Sequence, residues 1–139
     1  MIFLDTSALA KRYVREAGSD EIVRLMETDL DWSASALALT EASITLCRAD
    51  EGRPPAGQLQ RRLHLDWDRI FVVPVDSECL WVAADIGCEY RIRTLDAIHL
   101  AAALRVPGPP TFLTFDHRQA AVASQLGFPA PSPDGLTGD

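Results

Sequence analysis

The chain has 139 residues, of which 47% are hydrophobic and 24% charged, and its formal net charge at pH 7 is −7. This length and composition predict one globular domain with a substantial core. No apolar run approaches the roughly 20 residues of a membrane-spanning helix, and the opening MIFLD lacks the basic stretch of a secretory signal, so we expect neither. The negative charge, taken alone, argues against a nucleic-acid partner.

The first half of the chain alternates between strand-like apolar runs and segments of helical composition. The run IFLD is typical of a strand buried on both faces, and Gly18 and Ser19 separate two helical stretches. In the second stretch, helical spacing places four apolar residues on one face, namely Ile22, Val23, Met26 and Leu30. The predicted elements are a strand at 2–5, helices at 7–16 and 20–30, a strand at 31–35, and a long, largely buried helix at 36–49. GRPP at 52–55 then indicates a stop.

The second half continues the same alternation. Its predicted elements are a helix at 56–67, a strand at 69–75, helices at 76–91 and 94–105, a strand at 111–116, and a helix at 116–127. Pro74 indicates an edge strand, because proline cannot donate to a central ladder. Thr94 is expected to cap its helix, and Gly127 to end the last one. A short extended piece and a flexible tail, 131–139, are expected beyond residue 130.

Strands that alternate with helices predict an α/β layer fold with a mainly parallel sheet. No internal repeat or linker interrupts the pattern, so we expect a single domain over residues 1–130. In such sheets, functional groups gather beyond the carboxyl ends of the strands.

Acidic residues fall at those ends and inside apolar helices. Asp5 and Asp116 end two predicted strands, whereas Glu41 and Asp96 interrupt helical segments that are otherwise apolar. Each could be a helix cap or a charge in a first turn, and for Asp76 a cap is the preferred interpretation. Together, however, four carboxylates without Cys or His describe a site for a hard cation, Mg²⁺ or Mn²⁺. Metal-assisted phosphodiester hydrolysis is the chemistry that suits such a site best.

Four motifs carry a family resemblance. FLDTSAL near the start, LTEAS at 39–43, RTLDAIHLA at 93–101 and LTFD at 113–116 occur in order over residues 2 to 128. With them the chain resembles the PIN-domain ribonucleases, and more narrowly the VapC toxins of bacterial VapBC toxin–antitoxin pairs. The resemblance implies a three-layer α/β/α sandwich with a parallel sheet of about five strands in the order 3-2-1-4-5. Strand order would also keep Asp76 away from the site.

The resemblance also implies the site residues and their chemistry. The acidic quartet falls on Asp5, Glu41, Asp96 and Asp116, and the supporting hydroxyls on Thr6, Ser7 and Thr114. The implied activity is that of a Mg²⁺-dependent endoribonuclease toxin, with Mn²⁺ as a substitute. The carboxylates would hold one or two ions, and the activated water would leave a 5′-phosphate and a 3′-hydroxyl. Glu41 would be either a ligand or the group that orients the water.

Partners follow from the same resemblance. The expected substrate is a structured RNA such as transfer or ribosomal RNA, the inhibitor is a VapB-type antitoxin, and the toxin is expected to form a homodimer through helices 20–30 and 36–49. Basic residues that could touch phosphate lie near the carboxylates in sequence, namely Lys11, Arg12, Arg15, Arg91 and Arg93. His99 is expected to be hydrogen-bonded within the helix packing, with a place in the site as the alternative. His64 and His117 are expected at the surface.

Three alternatives were weighed. A haloacid-dehalogenase-type phosphatase needs a second Asp where Ser7 stands, and a receiver domain needs a late lysine, yet Lys11 is the only lysine. A PIN-like module that binds RNA or protein without cutting it remains an open alternative.

The chain contains three cysteines, Cys47, Cys79 and Cys88, without any CxxC spacing. We expect them to be buried thiols in a reducing cytoplasm.

Overall fold

Four short segments pair into one parallel sheet in the order β3-β2-β1-β4. The computed structural model describes residues 1–51 and 57–138. The strands are β1 (Ile2–Leu4), β2 (Trp32–Ser35), β3 (Phe71–Val73) and β4 (Thr111–Leu113). β1 lies in the centre, with Phe3 opposite Ser33 of β2 and Phe112 of β4. The carboxyl ends of β1 and β4 therefore lie side by side.

Helices connect the strands and cover both faces of the sheet. They are α1 (Thr6–Lys11), α2 (Ser19–Thr28), α3 (Leu37–Ala49), α4 (Gln58–Trp67), α5 (Ser77–Tyr90), α6 (Thr94–Ala103), α7 (His117–Gln125) and α8 (Pro133–Thr137). No helix among residues 1–51 and 57–138 is both long enough and apolar enough to cross a membrane.

The alternation of side chains along β1 divides the core in two. Ile2 and Leu4 pack with apolar residues of α1 to α4, whereas Phe3 packs with residues of α5, α6 and α7 on the opposite face. On that second face the rings of Phe3 and Phe112 stack with centroids 5.4 Å apart. The three-layer α/β/α sandwich with a parallel sheet is confirmed.

The sheet differs from the expectation in its last strand. The described residues form four strands rather than five, so the order is 3-2-1-4. Beyond β4, the N–H of Phe112 donates to the carbonyl of Pro129 at 2.8 Å, which is where a fifth strand would begin. Pro129 and Pro131 have no N–H to return to a neighbouring strand, and this limits the extended piece.

The tail contains a helix where a flexible end was expected. Residues 133–137 form α8, capped by the Ser132 hydroxyl, which accepts from the N–H of Gly135. Leu136 of this helix is buried and packs in the core beside α2. One apolar side chain thus anchors a segment whose composition resembles that of a loop. The domain boundary at residue 130 stays a prediction.

Several predicted helix details were wrong. α1 ends at Lys11 instead of 16, since the Ser19 hydroxyl accepts from the N–H of Glu16 and donates to the carbonyl of Val14, which folds 12–18 into turns. Arg93, not Thr94, is the N-cap of α6. In α2 the predicted face holds at Ile22 and Met26, but Leu30 lies beyond the helix and is 63% exposed.

Exposure also corrects two further expectations. α3 buries only every fourth residue, namely Ala38, Ala42 and Leu46, so it is half-exposed rather than largely buried. Cys79 is buried as expected, but Cys47 and Cys88 are exposed because they lie on the outer faces of α3 and α5. The GRPP stop at 52–55 lies outside the described residues. The edge position predicted for the strand before Pro74 is confirmed by the place of β3 in the sheet.

Candidate active site

The acidic quartet predicted from the motifs lines a single open cavity of about 440 Å³. Asp5 follows β1 and Asp116 follows β4, so the parallel pairing of these strands brings the two carboxylates to one edge. Glu41 comes from the second turn of α3, and Asp96 from the first turn of α6. Residues from four segments of the chain therefore meet at the edge where α/β sheets bind ligands.

Asp5 is the most deeply buried member of the quartet and is held by three donors. Its Oδ1 accepts from the backbone N–H of Ala8 at 2.9 Å and from the hydroxyl of Ser7 at 2.7 Å. Its Oδ2 accepts from the hydroxyl of Thr114 at 2.7 Å. Burial raises the pKa of Asp5, although these hydrogen bonds oppose the rise. Asp5 also caps α1, as the capping alternative predicted, and the same side chain lines the cavity.

Thr114 is fully buried and links the carboxylate of Asp5 to the backbone of Asp116. Its hydroxyl lies 2.7 Å from Asp5 Oδ2, and it accepts from the N–H of Asp116 at 3.0 Å. Ser7 makes a parallel link, because its hydroxyl contacts Asp5 and accepts from the N–H of Phe115 at 2.9 Å. Thr114 and Ser7 therefore fix the separation of the two strand ends.

Gln119 is a buried residue of this network that the sequence analysis missed. Its Oε1 lies 2.8 Å from the Thr114 hydroxyl, and its Nε2 donates to the carbonyl of Asp96 at 3.2 Å. Its backbone N–H donates to Asp116 Oδ1 in the N-cap of α7. A long amide three residues after a capping Asp was the available signal.

Glu41 shares one oxygen between two donors. Its Oε1 accepts from the Thr6 hydroxyl at 2.6 Å and lies 2.7 Å from Nε2 of His99. The hydrogen bond with His99, followed by that with Thr6, lowers the pKa of Glu41 below its ordinary value. His99 is buried, and its Nδ1 has no hydrogen-bond partner among the described residues. The two interpretations of His99 are thus both fulfilled: it packs within the core and reaches the site.

Arg93 bridges the other two carboxylates. Its Nε donates to Asp96 Oδ2 at 3.0 Å, and its Nη2 donates to Asp116 Oδ2 at 3.2 Å. The Arg93 side chain is 78% exposed, so each ion pair is worth little in stability. Its position at the rim places one positive charge between two acids.

The other basic residues are divided between the rim and the far surface. Lys11 lines the cavity, pairs with Glu16 at 2.8 Å and lies over the ring of Phe115. Arg12 pairs with Asp66, away from the site, and Arg15 pairs with Asp20 at the surface.

Asp76 plays the structural role expected of it. It caps α5 by accepting from the N–H of Cys79 at 3.0 Å, and it pairs with Arg105 at 2.8 Å. The backbone hydrogen bond from Cys79 is the largest of the effects that lower the pKa of Asp76.

Comparison with known proteins assigns this architecture. The family model described as PIN domain matches residues 2–125. The chain belongs to the PIN domain family. This PIN domain is 34% identical over 136 residues to a Mycobacterium tuberculosis protein named ribonuclease VapC47, covering 96% of this chain and 97% of that protein. It is 36% identical over 133 residues to ribonuclease VapC46 of the same organism, covering 95% and 97% of the two chains.

A solved structure shares the fold. This PIN domain superposes on a chain of a toxin–antitoxin complex from Klebsiella pneumoniae with a TM-score of 0.71 at 16% identity, covering 96% of this chain and 98% of that one. The resemblance to VapC-type PIN domains inferred from the four motifs is confirmed.

The donor chemistry of the PIN site fits a hard divalent cation. All four charged donors are carboxylates, which Mg²⁺ and Mn²⁺ prefer. Among residues 1–51 and 57–138, however, no three side chains of His, Cys, Asp or Glu form a group that could hold a metal ion. Each carboxylate is instead engaged by protein donors, and Arg93 occupies two of them. An ion would have to compete with those contacts.

Proposed function

We propose that this PIN domain is a Mg²⁺-dependent endoribonuclease toxin of a toxin–antitoxin system, which hydrolyses RNA phosphodiester bonds with activated water. The observation that carries the proposal is the convergence of Asp5, Glu41, Asp96 and Asp116 on one open cavity at the carboxyl edge of the sheet. The relatives named ribonucleases, aligned over nearly the whole chain, support the same reaction class.

The carboxylates have different environments and therefore different roles. Asp5, Asp96 and Asp116 would hold Mg²⁺, or Mn²⁺ in its place, directly or through water, while Glu41 completes the set or orients the attacking water. The bound ion would supply charge stabilisation at the scissile phosphate and acidify a water molecule. The described residues give Glu41 Oε2 no hydrogen-bond donor, so this oxygen is available to a water in the cavity.

The hydroxyl residues position the acids rather than react. Ser7 and Thr114 hold the two oxygens of Asp5 in fixed directions, and Thr6 does the same for Glu41 Oε1. Such pre-orientation reduces the reorganisation needed when substrate binds.

An antitoxin, a second copy of the chain and a cytoplasmic location complete the proposal. The structural neighbour titled a toxin–antitoxin complex supports a protein inhibitor. The helices at 20–30 and 36–49 were expected to form the dimer. In that part of the chain, Leu30 after α2 and Ile44 of α3 are exposed large apolar side chains that a second copy could cover. Light scattering of the purified protein measures the oligomeric state directly.

The deciding experiment is cleavage of total cellular RNA by purified protein with Mg²⁺ or Mn²⁺. We expect discrete fragments that disappear with EDTA and with Asp5→Asn. Asp76→Asn is the matched control, because Asp76 caps α5 as Asp5 caps α1 but lies outside the cavity. Fragments that persist in Asp5→Asn would come from a contaminant, and the proposal would lose its support.

A binding module without catalysis is the second candidate, and the absence of a gathered metal group among the described residues favours it. Calorimetric titration with Mn²⁺ separates the two candidates. A nuclease should bind the ion, and the heat should disappear in Asp5→Asn. No binding by wild-type protein, together with no cleavage, would leave the binding module as the better description.

A further inference from the structure

A second, smaller cavity adjoins the acidic one and is lined by two arginines as well as two aspartates. It has a volume of about 270 Å³ and is lined by Ile92, Arg93, Asp96, Asp116 and Arg118. We call it the arginine pocket. Asp96, Asp116 and Arg93 line both cavities, so the arginine pocket adjoins the proposed reaction site. We call the two shared aspartates the Asp96–Asp116 wall.

Arg118 is held in place without being neutralised. Its Nη2 donates to the backbone carbonyl of Arg91 at 2.6 Å, and it forms no ion pair with any residue that the structure describes. Arg91 ends α5 in the left-handed conformation, with φ of 55°, which is uncommon for a residue with a side chain. This turn places the carbonyl that fixes Arg118, and it leaves most of the guanidinium N–H groups available to a ligand.

Arg93 and the start of α6 supply further N–H donors to the pocket. Arg93 engages its carboxylates through Nε and Nη2, so Nη1 is not used in those contacts. Arg93 is also the N-cap of α6, and no side chain caps that helix. Amides of an uncapped first turn favour an anion, and this turn follows Arg93, which lines the pocket together with Arg118.

We propose that the arginine pocket binds an RNA phosphate next to the scissile one. The inference rests on the proposed function, since the wall shared by both cavities would place consecutive phosphates of one strand on its two sides. A guanidinium group can donate two parallel hydrogen bonds to one phosphate, so it fixes the orientation of the phosphate as well as neutralising its charge. Because a phosphate contact carries no sequence information, the pocket would set the register of the strand and not its sequence.

The pocket also explains how a chain with a negative net charge could bind RNA. With a formal net charge of −7, the protein repels RNA at long range. A local pair of arginines at the mouth of the acidic cavity offsets that repulsion where the backbone must approach.

The test uses binding rather than cleavage, so that it is independent of catalysis. The probe is a fluorescein-labelled single-stranded RNA of mixed sequence, titrated with full-length protein in EDTA and followed by anisotropy. We expect Arg118→Gln to weaken binding about tenfold, and Arg118→Lys to recover part of the loss. Arg105→Gln removes the same charge from an arginine that pairs with Asp76, outside both cavities, and should bind like wild type.

The outcomes separate this inference from the proposed function. Weaker binding by Arg118→Gln supports the pocket even if no RNA is ever cut. Wild-type affinity in Arg118→Gln, or equal losses in Arg118→Gln and Arg105→Gln, would overturn it, and the first result would leave the pocket to an acidic protein partner instead. Thermal unfolding checks that the exposed Arg118 can be replaced without loss of the fold.

Discussion

Asp5 shows how one residue sets function against stability. Its carboxyl is buried, and its pKa is raised from 3.8. The folded protein thus holds this proton more tightly than the unfolded chain does. The associated stability is fully present below about pH 3.8 and is lost as the pH rises through the raised pKa, because the ionised form is then favoured in the unfolded chain. Above its raised pKa, the ionised Asp5 weakens the fold.

We therefore predict that Asp5→Asn is more stable than wild type at pH 7, and that the difference shrinks as the pH falls towards 4. Asparagine keeps the capping oxygen, and the Thr114 hydroxyl can turn to donate to Gln119 Oε1 while accepting from the new amide. Urea denaturation at both pH values measures the change. A variant less stable at pH 7 by about 1 kcal/mol or more would show that the hydrogen bonds outweigh the burial of charge.

His99 is predicted to act on the reaction through Glu41. Its contact with Glu41 Oε1 holds that carboxylate, so His99→Leu should lower kcat about tenfold, which corresponds to about 1.4 kcal/mol. His99→Gln retains a donor and should recover much of the rate. On a Glu41→Gln background the same replacement should cost little more, because the group it positions is already changed.

The control for these His99 and Glu41 variants is the midpoint temperature of thermal unfolding. His99 is buried, so its replacement can also weaken the fold. Rates are compared well below the lowest midpoint. Single effects that multiply in the double variant would contradict the prediction, since they would show that His99 and Glu41 act independently.

At the scale of elements, Gly18 joins the start of α2 to the floor of the site. It is the N-cap of α2 with φ of 92°, and a Cβ there would lie 2.5 Å from the ring of Phe115. Gly127 has a φ of 97° at the end of α7, but nothing lies within 4 Å of a Cβ there. The two glycines share a conformation and differ in crowding.

We predict that Gly18→Ala destabilises the protein more than Gly127→Ala does. Both replacements carry the cost of a left-handed alanine, about 1–2 kcal/mol, and Gly18→Ala adds about 1–3 kcal/mol for displacing Phe115. Guanidinium denaturation of the two variants gives the difference. Equal losses would mean that the Phe115 ring moves aside without cost.

The sequence predicts those features of the elements that neighbouring residues decide. The cap at Asp76 and the edge strand before Pro74 follow from residues a few positions away, and both were correct. Leu136 shows the limit, because its segment has the composition of a tail and only its packing against the core reveals a helix.

Contacts between distant residues account for the rest. The motifs located the quartet, but the hydrogen bond of His99 with Glu41, 58 positions apart, could not be read from either motif alone. The pairing of Arg12 with Asp66 similarly removes a basic residue that sequence proximity had placed near Asp5. The motifs therefore predicted which carboxylates line the cavity, and the fold decided which residues contact them.

At the scale of the whole molecule, the distribution of charge matters more than its sum. Several arginines outside the site are paired with an acid, as Arg12 is with Asp66 and Arg24 with Glu21. At the Asp96–Asp116 wall, Arg118 makes no ion pair with a described residue, and Nη1 of Arg93 takes no part in the ion pairs of that residue. At this wall a strand of RNA would therefore meet two guanidinium groups, those of Arg93 and Arg118.

This distribution predicts a shallow salt dependence of RNA binding. Each phosphate neutralised on a single strand contributes about −0.7 to the slope of log K against log salt, so two contacts through Arg93 and Arg118 give a slope of about −1 to −2. Anisotropy titrations in KCl between roughly 50 and 200 mM measure it. A slope of about −5 or steeper would require at least seven phosphate contacts, more than the arginine pocket can make. It would mean that RNA is held mainly by a surface outside the arginine pocket.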